Sequence, residues 1–290
     1  MAASTPTDEA AVAAAIEIYL RSGTTDPLMT AWPGNLPERA ERSRGHLRAA
    51  LVNETMRRAA GRAHPPMPPH DLSELTRRKV MPMVWGLFPA VERDAVLRLV
   101  ERSVVFVTAD NIARLLIDQR WDQTAWVLAN LHLATIDAPL LCADAPPLVG
   151  LSEETTCYVS PRYFSGPDPG SDFVVHEVAH LFHNCKRRSA GLPERGRKEW
   201  LLEIAFRKRE TFAYACEFYS SILGYSDNAA GRRHLAAELV QSWALSDGRV
   251  DAQEVADIVL EAAWSRAGWK VILRRCSEPA SGARRALRMS

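Results

Sequence analysis

Residues 174–184 read VVHEVAHLFHN and contain the pattern His-Glu-x-x-His at His176, Glu177 and His180. On a helix, residues four positions apart lie one turn above each other, so the imidazoles of His176 and His180 can reach one metal ion. Glu177 then lies beside them, where it can act on metal-bound water. The pattern therefore predicts a metal centre on this stretch, with His176 and His180 as ligands.

A helical structure for this stretch is supported by its apolar pattern. Val174, Val178 and Leu181 recur at the spacing of one helix face. A turn-forming run, Gly-Pro-Asp-Pro-Gly, precedes it, and Ser171 or Asp172 can cap the helix N-terminus. We therefore expect an amphipathic helix that is partly buried and presents both histidines on one face.

A catalytic zinc site needs a third protein ligand in addition to two histidines. His183 continues the same helix face, but seven residues of helix rise about 10.5 Å, too far for it to share one ion with His176. We expect His183 to line the cleft or support a ligand. The longer metzincin pattern requires Gly at 183 and His at 186, and these positions hold His and Lys. The metzincin arrangement is thereby excluded.

A glutamate on the next helix is the alternative third ligand. Residues 200–223 contain no Gly or Pro and are predicted to form one helix. Glu203, Glu210 and Glu217 are spaced by seven and would share one face of it. We prefer Glu210, because the small alanines that follow it would let this helix approach the histidine helix closely. Glu203 is the second choice and Glu217 the third.

The sequence HEVAH at 176–180, followed by RETFAYA at 209–215, resembles the gluzincin type of zinc metallopeptidase. The resemblance implies that Zn²⁺ is held by His176, His180 and Glu210. It also implies a small sheet before the motif helix, whose edge strand holds an extended peptide substrate. Residues 155–160 match the position of that strand.

The expected reaction is hydrolysis of a peptide or protein bond. Zn²⁺ lowers the pKa of its water towards about 7, and Glu177 takes the water's proton and passes it to the leaving amine. The developing oxyanion needs a hydrogen-bond donor. The preferred donors are Tyr158, on the predicted strand, and His234, in the region where gluzincins often place one. The sequence also offers Tyr163, Tyr214, Tyr219 and His183.

Composition limits the remaining function classes. With 290 residues, 47% hydrophobic and 24% charged, the chain is an ordinary globular protein, and its net charge of +1 argues against a dedicated nucleic-acid partner. The N-terminal residues lack the pattern of a secretory signal, and no apolar run approaches 18 residues, so we expect a cytoplasmic protein without a membrane partner. The five scattered cysteines fit reduced thiols.

The predicted fold class is α+β, predominantly helical, with a zincin-like catalytic domain. We expect an N-terminal helical region at 1–100, a zincin-like metallopeptidase domain at 101–276 and a disordered basic tail at 277–290. Helices are predicted at 10–22, 37–61, 72–100 with breaks near Pro82 and Pro89, 111–117, 229–245 and 251–266. Strands are predicted at 104–107 and, weakly, at 131–136, with a hairpin that pairs 148–151 with 155–160.

The basic segment 186–198 is predicted to be an exposed, mobile loop between the two metal-binding helices. It is either a solvated connection or, if it lies near the cleft, a feature that favours acidic substrates.

Three functions remain open from the sequence. The first is the peptidase. The second is a zinc hydrolase of a non-peptide amide, or an enzyme that modifies a small natural product. The third is a catalytically inactive binding module that keeps the zincin frame and uses the N-terminal helices as its partner surface.

Overall fold

A computed structural model describes residues 8–68, 71–146, 148–165, 172–194, 199–242, 245 and 247–277 of the chain. The fold is predominantly helical with one small sheet, so the predicted α+β class is confirmed at that level. The zincin-like identity and the division at residues 100 and 276 stay predictions. The predicted tail lies outside the described residues from 278 onward.

The chain forms two compact units. The first comprises Met1–Met67, Phe106–Leu151 and Ser160–Ser165, and the second comprises Pro68–Val105, Ser152–Val159 and Gly166–Ser290. The motif and all three candidate glutamates belong to the second unit.

In the first unit, the described residues form the helices α1 (Glu9–Ser22), α2 (Leu36–Ala59), α5 (Ile112–Asp118) and α6 (Asp122–Thr135). Helix α1 ends as expected at Gly23, which adopts φ +70°. The weak strand predicted at 131–136 is wrong, because residues up to Thr135 belong to α6. This helix is buried on nearly every side, so its apolar residues show no clear helical period in the sequence.

In the described part of the second unit, the helices are α3 (Leu72–Leu87), α4 (Ala90–Ser103), α7 (Phe173–Asn184), α8 (Arg209–Tyr225), α9 (Ala229–Ser242), α10 (Ala252–Trp264) and α11 (Gly268–Cys276). The break near Pro89 is confirmed, but the break near Pro82 is wrong, since α3 runs through it. Proline removes one N–H donor, and here the fully buried Val80, Met83 and Val84 around it keep the helix packed.

The sheet contains β1 (Val104–Phe106), β2 (Gly150–Glu153) and β3 (Thr156–Val159) in the order β1-β3-β2. The predicted hairpin is therefore confirmed as the pair of β2 and β3. The expectation that residues 155–160 form an edge strand is wrong, because β3 is paired on both sides. An extended peptide can add only to an unpaired edge, so β3 cannot hold the substrate in that way.

The helix predicted at 200–223 begins only at Arg209, after a short 3₁₀ turn at Phe206–Lys208. Backbone N–H groups before Arg209 donate to carbonyls outside the segment. Leu201 N donates to Cys185 O at 3.0 Å, and Leu202 N donates to Phe182 O at 2.8 Å. These bonds satisfy carbonyls at the C-terminal end of α7, which would otherwise lack partners, and they hold this segment out of a helix.

The segment after α7 also differs from the prediction. Its first residues form a 3₁₀ turn at Arg187–Ala190, and Arg187 is buried in an ion pair with Glu92 at 2.7 Å. The described part is therefore anchored rather than fully exposed, while residues 195–198 lie outside the described residues.

All five cysteines are free, and four of them are buried. Among the described residues, no helix is long and apolar enough to cross a membrane.

Candidate metal centre

Helix α7 holds His176 and His180 on its partly open face. Its N-terminus is capped by Asp172, whose side chain accepts from Val175 N at 3.3 Å. The opposite face contains fully buried valines and leucine, as the apolar stripe predicts. The side chains of His176 and His180 keep 14% and 13% exposure, so neither is fully buried.

Helix α8 packs against α7 and brings Glu210, in its first turn, to the two histidines. The Nε2 atoms of His176 and His180 lie 3.2 Å apart. Glu210 Oε2 lies 3.3 Å from His180 Nε2 and 3.9 Å from His176 Nε2. Ligands about 2.1 Å from a tetrahedral zinc lie about 3.4 Å from each other, so these three separations suit one ion.

The hydrogen bonds behind the histidines determine which nitrogen faces the centre. His176 Nδ1 lies 2.9 Å from Glu217 Oε2, a carboxylate that can only accept, so the proton sits on Nδ1. His183 Nδ1 lies 3.1 Å from Asn184 Oδ1, and its Nε2 lies 3.0 Å from His180 Nδ1. With Asn184 Oδ1 as acceptor, His183 Nε2 accepts from His180 Nδ1. Both Nε2 atoms therefore present lone pairs to the centre.

The three converging atoms fit a metal ion. Glu210 Oε2 is buried and has no hydrogen-bond partner among the residues that the structure describes. Three lone pairs without a proton between them repel one another unless a cation binds them. Two imidazoles and one carboxylate are a common ligand set of catalytic zinc. Within the described part of the chain, these three residues are the group whose ligand atoms lie close enough to hold an ion.

Charges around the centre shift three pKa values. Burial alone would lower the pKa of His176, but Glu217, Glu177 and Glu210 raise it above the ordinary value. Burial would raise the pKa of Glu210, but His180, Arg249 and His176 hold it below the ordinary value. Burial, with the charges of His180 and Arg209, lowers the pKa of His183 to about 3, so this imidazole is neutral near pH 7.

Glu177 is buried, and the hairpin of β2 and β3 holds it in place. Ser152, on β2, places its Oγ 2.7 Å from Glu177 Oε2 and 2.7 Å from the Glu177 carbonyl. Cys157, on β3, donates its thiol to the same carbonyl at 3.3 Å. The sheet therefore holds Glu177, the residue that follows His176, in place.

A second set of polar residues surrounds Glu210. Arg249, in the loop before α10, lies 2.6 Å from Glu210 Oε1 and 2.7 Å from Asp247 Oδ2. Tyr214, one turn after Glu210, donates its hydroxyl to Asp247 at 3.1 Å, and its ring packs on His176 with centroids 4.6 Å apart. Burial and Asp247 raise the pKa of the Tyr214 phenol, so it stays protonated and able to donate.

The two preferred oxyanion donors lie elsewhere. Side chains alternate along a strand, and Cys157 points to α7, so its neighbour Tyr158 points to the other face of the sheet. His234 is 74% exposed on α9 and lies 3.3 Å from Glu238. Their catalytic roles stay predictions, and the position of Tyr214 favours that residue instead.

The remaining candidate glutamates have separate places. Glu203 precedes α8, and its side chain accepts a hydrogen bond from the Trp200 backbone N–H at 3.3 Å. Glu217 contacts His176 from behind, at Nδ1. Its spacing of seven from Glu210 indicated that it faces α7, but not that it supports a ligand. Ser152, Asp247 and Arg249 were missed, because no pattern links them to the motif.

Comparison of the chain with protein-family models, with curated proteins and with solved structures found no match.

Proposed function

We propose that the protein is a zinc-dependent peptidase with His176, His180 and Glu210 as metal ligands. One observation carries the proposal, namely the convergence of two imidazole lone pairs on a buried carboxylate oxygen that has no hydrogen-bond partner. When both imidazoles are neutral, a cation bound between the three atoms relieves their mutual repulsion. The resemblance of the motif and of residues 209–215 to gluzincins supports zinc and peptide hydrolysis.

A zinc ion held there supplies Lewis acidity to water and to a substrate carbonyl. Glu177 is the general base. Its carboxylate follows His176 in the motif and is buried, while Ser152 holds one of its oxygens at 2.7 Å. Glu177 takes a proton from the attacking water and passes it to the amine that leaves.

Tyr214 is the donor that stabilises the developing oxyanion. Its ring rests on His176, and its hydroxyl is kept at the site by Asp247. A neutral phenol gives up this bond and donates to the substrate oxygen as negative charge accumulates there. Arg249 remains bonded to Asp247 and Glu210, so the loop that carries it keeps both residues in place.

The five free cysteines support a site of action in the reducing cytoplasm, since disulfides form in oxidising compartments.

The first experiment measures zinc per chain by elemental analysis in the wild type and in Glu210→Ala, with Glu203→Ala as the matched control. We expect one zinc in the wild type and in Glu203→Ala, and none in folded Glu210→Ala. Wild-type protein that holds no zinc after purification and after addition of the metal would refute the metal centre.

The second experiment tests the reaction on a mixture of unlabelled peptides, with products identified by mass spectrometry. Glu177→Gln should keep zinc and lose at least about 100-fold in turnover, because the general base is gone. Full cleavage by this variant contradicts the assigned mechanism. Cleavage of small-molecule amides without cleavage of any peptide would show that the substrate is a non-peptide amide.

A further inference from the structure

Two arginines lie next to the ligand Glu210, Arg249 in space and Arg209 in the chain. The guanidinium of Arg249 donates hydrogen bonds to Glu210 and Asp247, with its nitrogens 2.6 to 3.1 Å from the carboxylate oxygens. Arg209 directly precedes Glu210 in the chain. Among the residues that the structure describes, no carboxylate pairs with it.

Within the described part of the chain, the donors of Arg209 have no protein acceptor. Its Nε is buried and has no hydrogen-bond partner. An unpaired buried donor costs stability, so an acceptor that reaches it is bound favourably. Arg209 is the first residue of α8 and directly precedes the ligand Glu210, so its side chain starts beside the metal centre.

An exposed aromatic ring completes the arrangement. The guanidinium carbon of Arg209 lies 5.2 Å from the ring centroid of Phe206, and Phe206 is 79% exposed. Stacking occupies the face of a guanidinium and leaves its N–H groups in the plane free to bind a carboxylate with two bonds.

We propose that Arg209 and Phe206 form a subsite for a carboxylate of the substrate, beside the bond that is cleaved. This inference rests on the proposed function, whose metal centre provides the neighbouring reaction site. The substrates are peptides that carry an acidic side chain or a terminal carboxylate next to the cleaved bond. Apolar atoms beside that carboxylate contact the Phe206 ring.

The subsite can be tested by binding alone, without turnover. The probes are hydroxamates, which bind zinc through the hydroxamate group and carry a terminal carboxylate one, two or three methylenes away. Each has a matched ligand in which a neutral primary amide replaces the carboxylate. Affinities are measured by calorimetry on the zinc-loaded full chain, for the wild type, Arg209→Gln, Arg209→Lys and the control Arg207→Gln. Arg207 is exposed and lies on the 3₁₀ turn Phe206–Lys208, next to Phe206.

We expect at least one carboxylate ligand to bind the wild type about tenfold tighter than its amide. Arg209→Gln should abolish this difference and leave the amide affinity unchanged, which also shows that fold and zinc persist. Arg209→Lys should keep part of the difference, and Arg207→Gln should keep all of it.

Each contrary outcome has a distinct meaning. Equal affinity of every carboxylate and amide pair for the wild type overturns the subsite and leaves the metal centre intact. A carboxylate preference that survives in Arg209→Gln also overturns it, because another group then binds the carboxylate. Failure of every hydroxamate to bind overturns the metal centre and the subsite together.

Discussion

Glu217 lies directly behind His176, with its Oε2 2.9 Å from the imidazole Nδ1, while its Oε1 accepts the backbone N–H of Asp172 at 2.8 Å. Asp172 in turn caps α7 and lies 3.2 Å from Lys79 Nζ. One buried carboxylate therefore links the N-terminus of the motif helix to its first histidine. It fixes the proton on Nδ1 and raises the basicity of the Nε2 that faces the metal centre.

Replacing Glu217 with Gln should weaken zinc binding about 10- to 100-fold, because the uncharged amide no longer supports His176 as a ligand. Zinc affinity is measured by competition with a chromophoric chelator at fixed pH. Glu199→Gln is the control, since Glu199 is an exposed glutamate paired with Lys186. An affinity within about threefold of the wild type would show that this contact does not support the metal.

Tyr214→Phe should keep zinc and lower kcat by about 100-fold with little change in KM, since the lost donor acts mainly in the transition state. Steady-state kinetics on a cleaved peptide measure both constants. The control is Tyr225→Phe, at the exposed end of the same helix. A fall in zinc content, or a rise in KM at constant kcat, would instead assign Tyr214 to structure or to substrate binding.

The local parts of the site could be predicted from the sequence. Residues 172–184 carry a cap, a helical period and a metal-binding spacing within thirteen positions, so the motif helix and its two histidines follow from short-range rules. Glu210 could be ranked first because small residues after it allow close packing, and Ala213 and Ala215 are indeed fully buried.

The parts of the structure that differ from the sequence predictions depend on contacts between residues distant in the chain. Residues 200–208 have the composition of a helix, but the N–H groups of Leu201, Leu202 and Ala205 donate to carbonyls outside the segment. The acceptors are Cys185, Phe182 and Cys276. Strand β3 looks like an edge strand until β1, about fifty positions earlier, pairs with its free side. Ser152 and Arg249 reach the site only through such packing, so no pattern near the motif could indicate them.

The stability of the fold should fall in mild acid because of His132. Burial, with the nearby His64, lowers the pKa of His132 from 6.5 to about 4. Between these values the unfolded chain binds a proton that the folded chain does not, so the contribution of His132 is complete above pH 6.5 and is lost as pH falls towards 4. We expect roughly 2 kcal/mol of this loss between pH 7 and pH 5.

This loss is measured by urea unfolding at both pH values. His132→Leu should reduce the difference between them, whereas His234→Gln, at an exposed histidine, should not. An unchanged pH dependence in His132→Leu would show that other groups cause the acid sensitivity.

Two glycines in helices should respond to alanine with opposite signs. A Cβ at Gly86 in α3 would lie 2.1 Å from Trp269 Cδ1, and Trp269 cannot yield easily because it is buried against Tyr219 with ring centroids 4.9 Å apart. Gly86→Ala should therefore destabilise the fold by about 1 to 3 kcal/mol.

A Cβ at Gly45 in α2 meets no described atom within 4 Å, so Gly45→Ala should stabilise the fold by about 1 kcal/mol through helix propensity. Denaturant midpoints of both variants, measured at equal zinc concentration, check the pair. A gain in stability from Gly86→Ala would mean that α3 and α11 do not approach each other as closely as the structure places them.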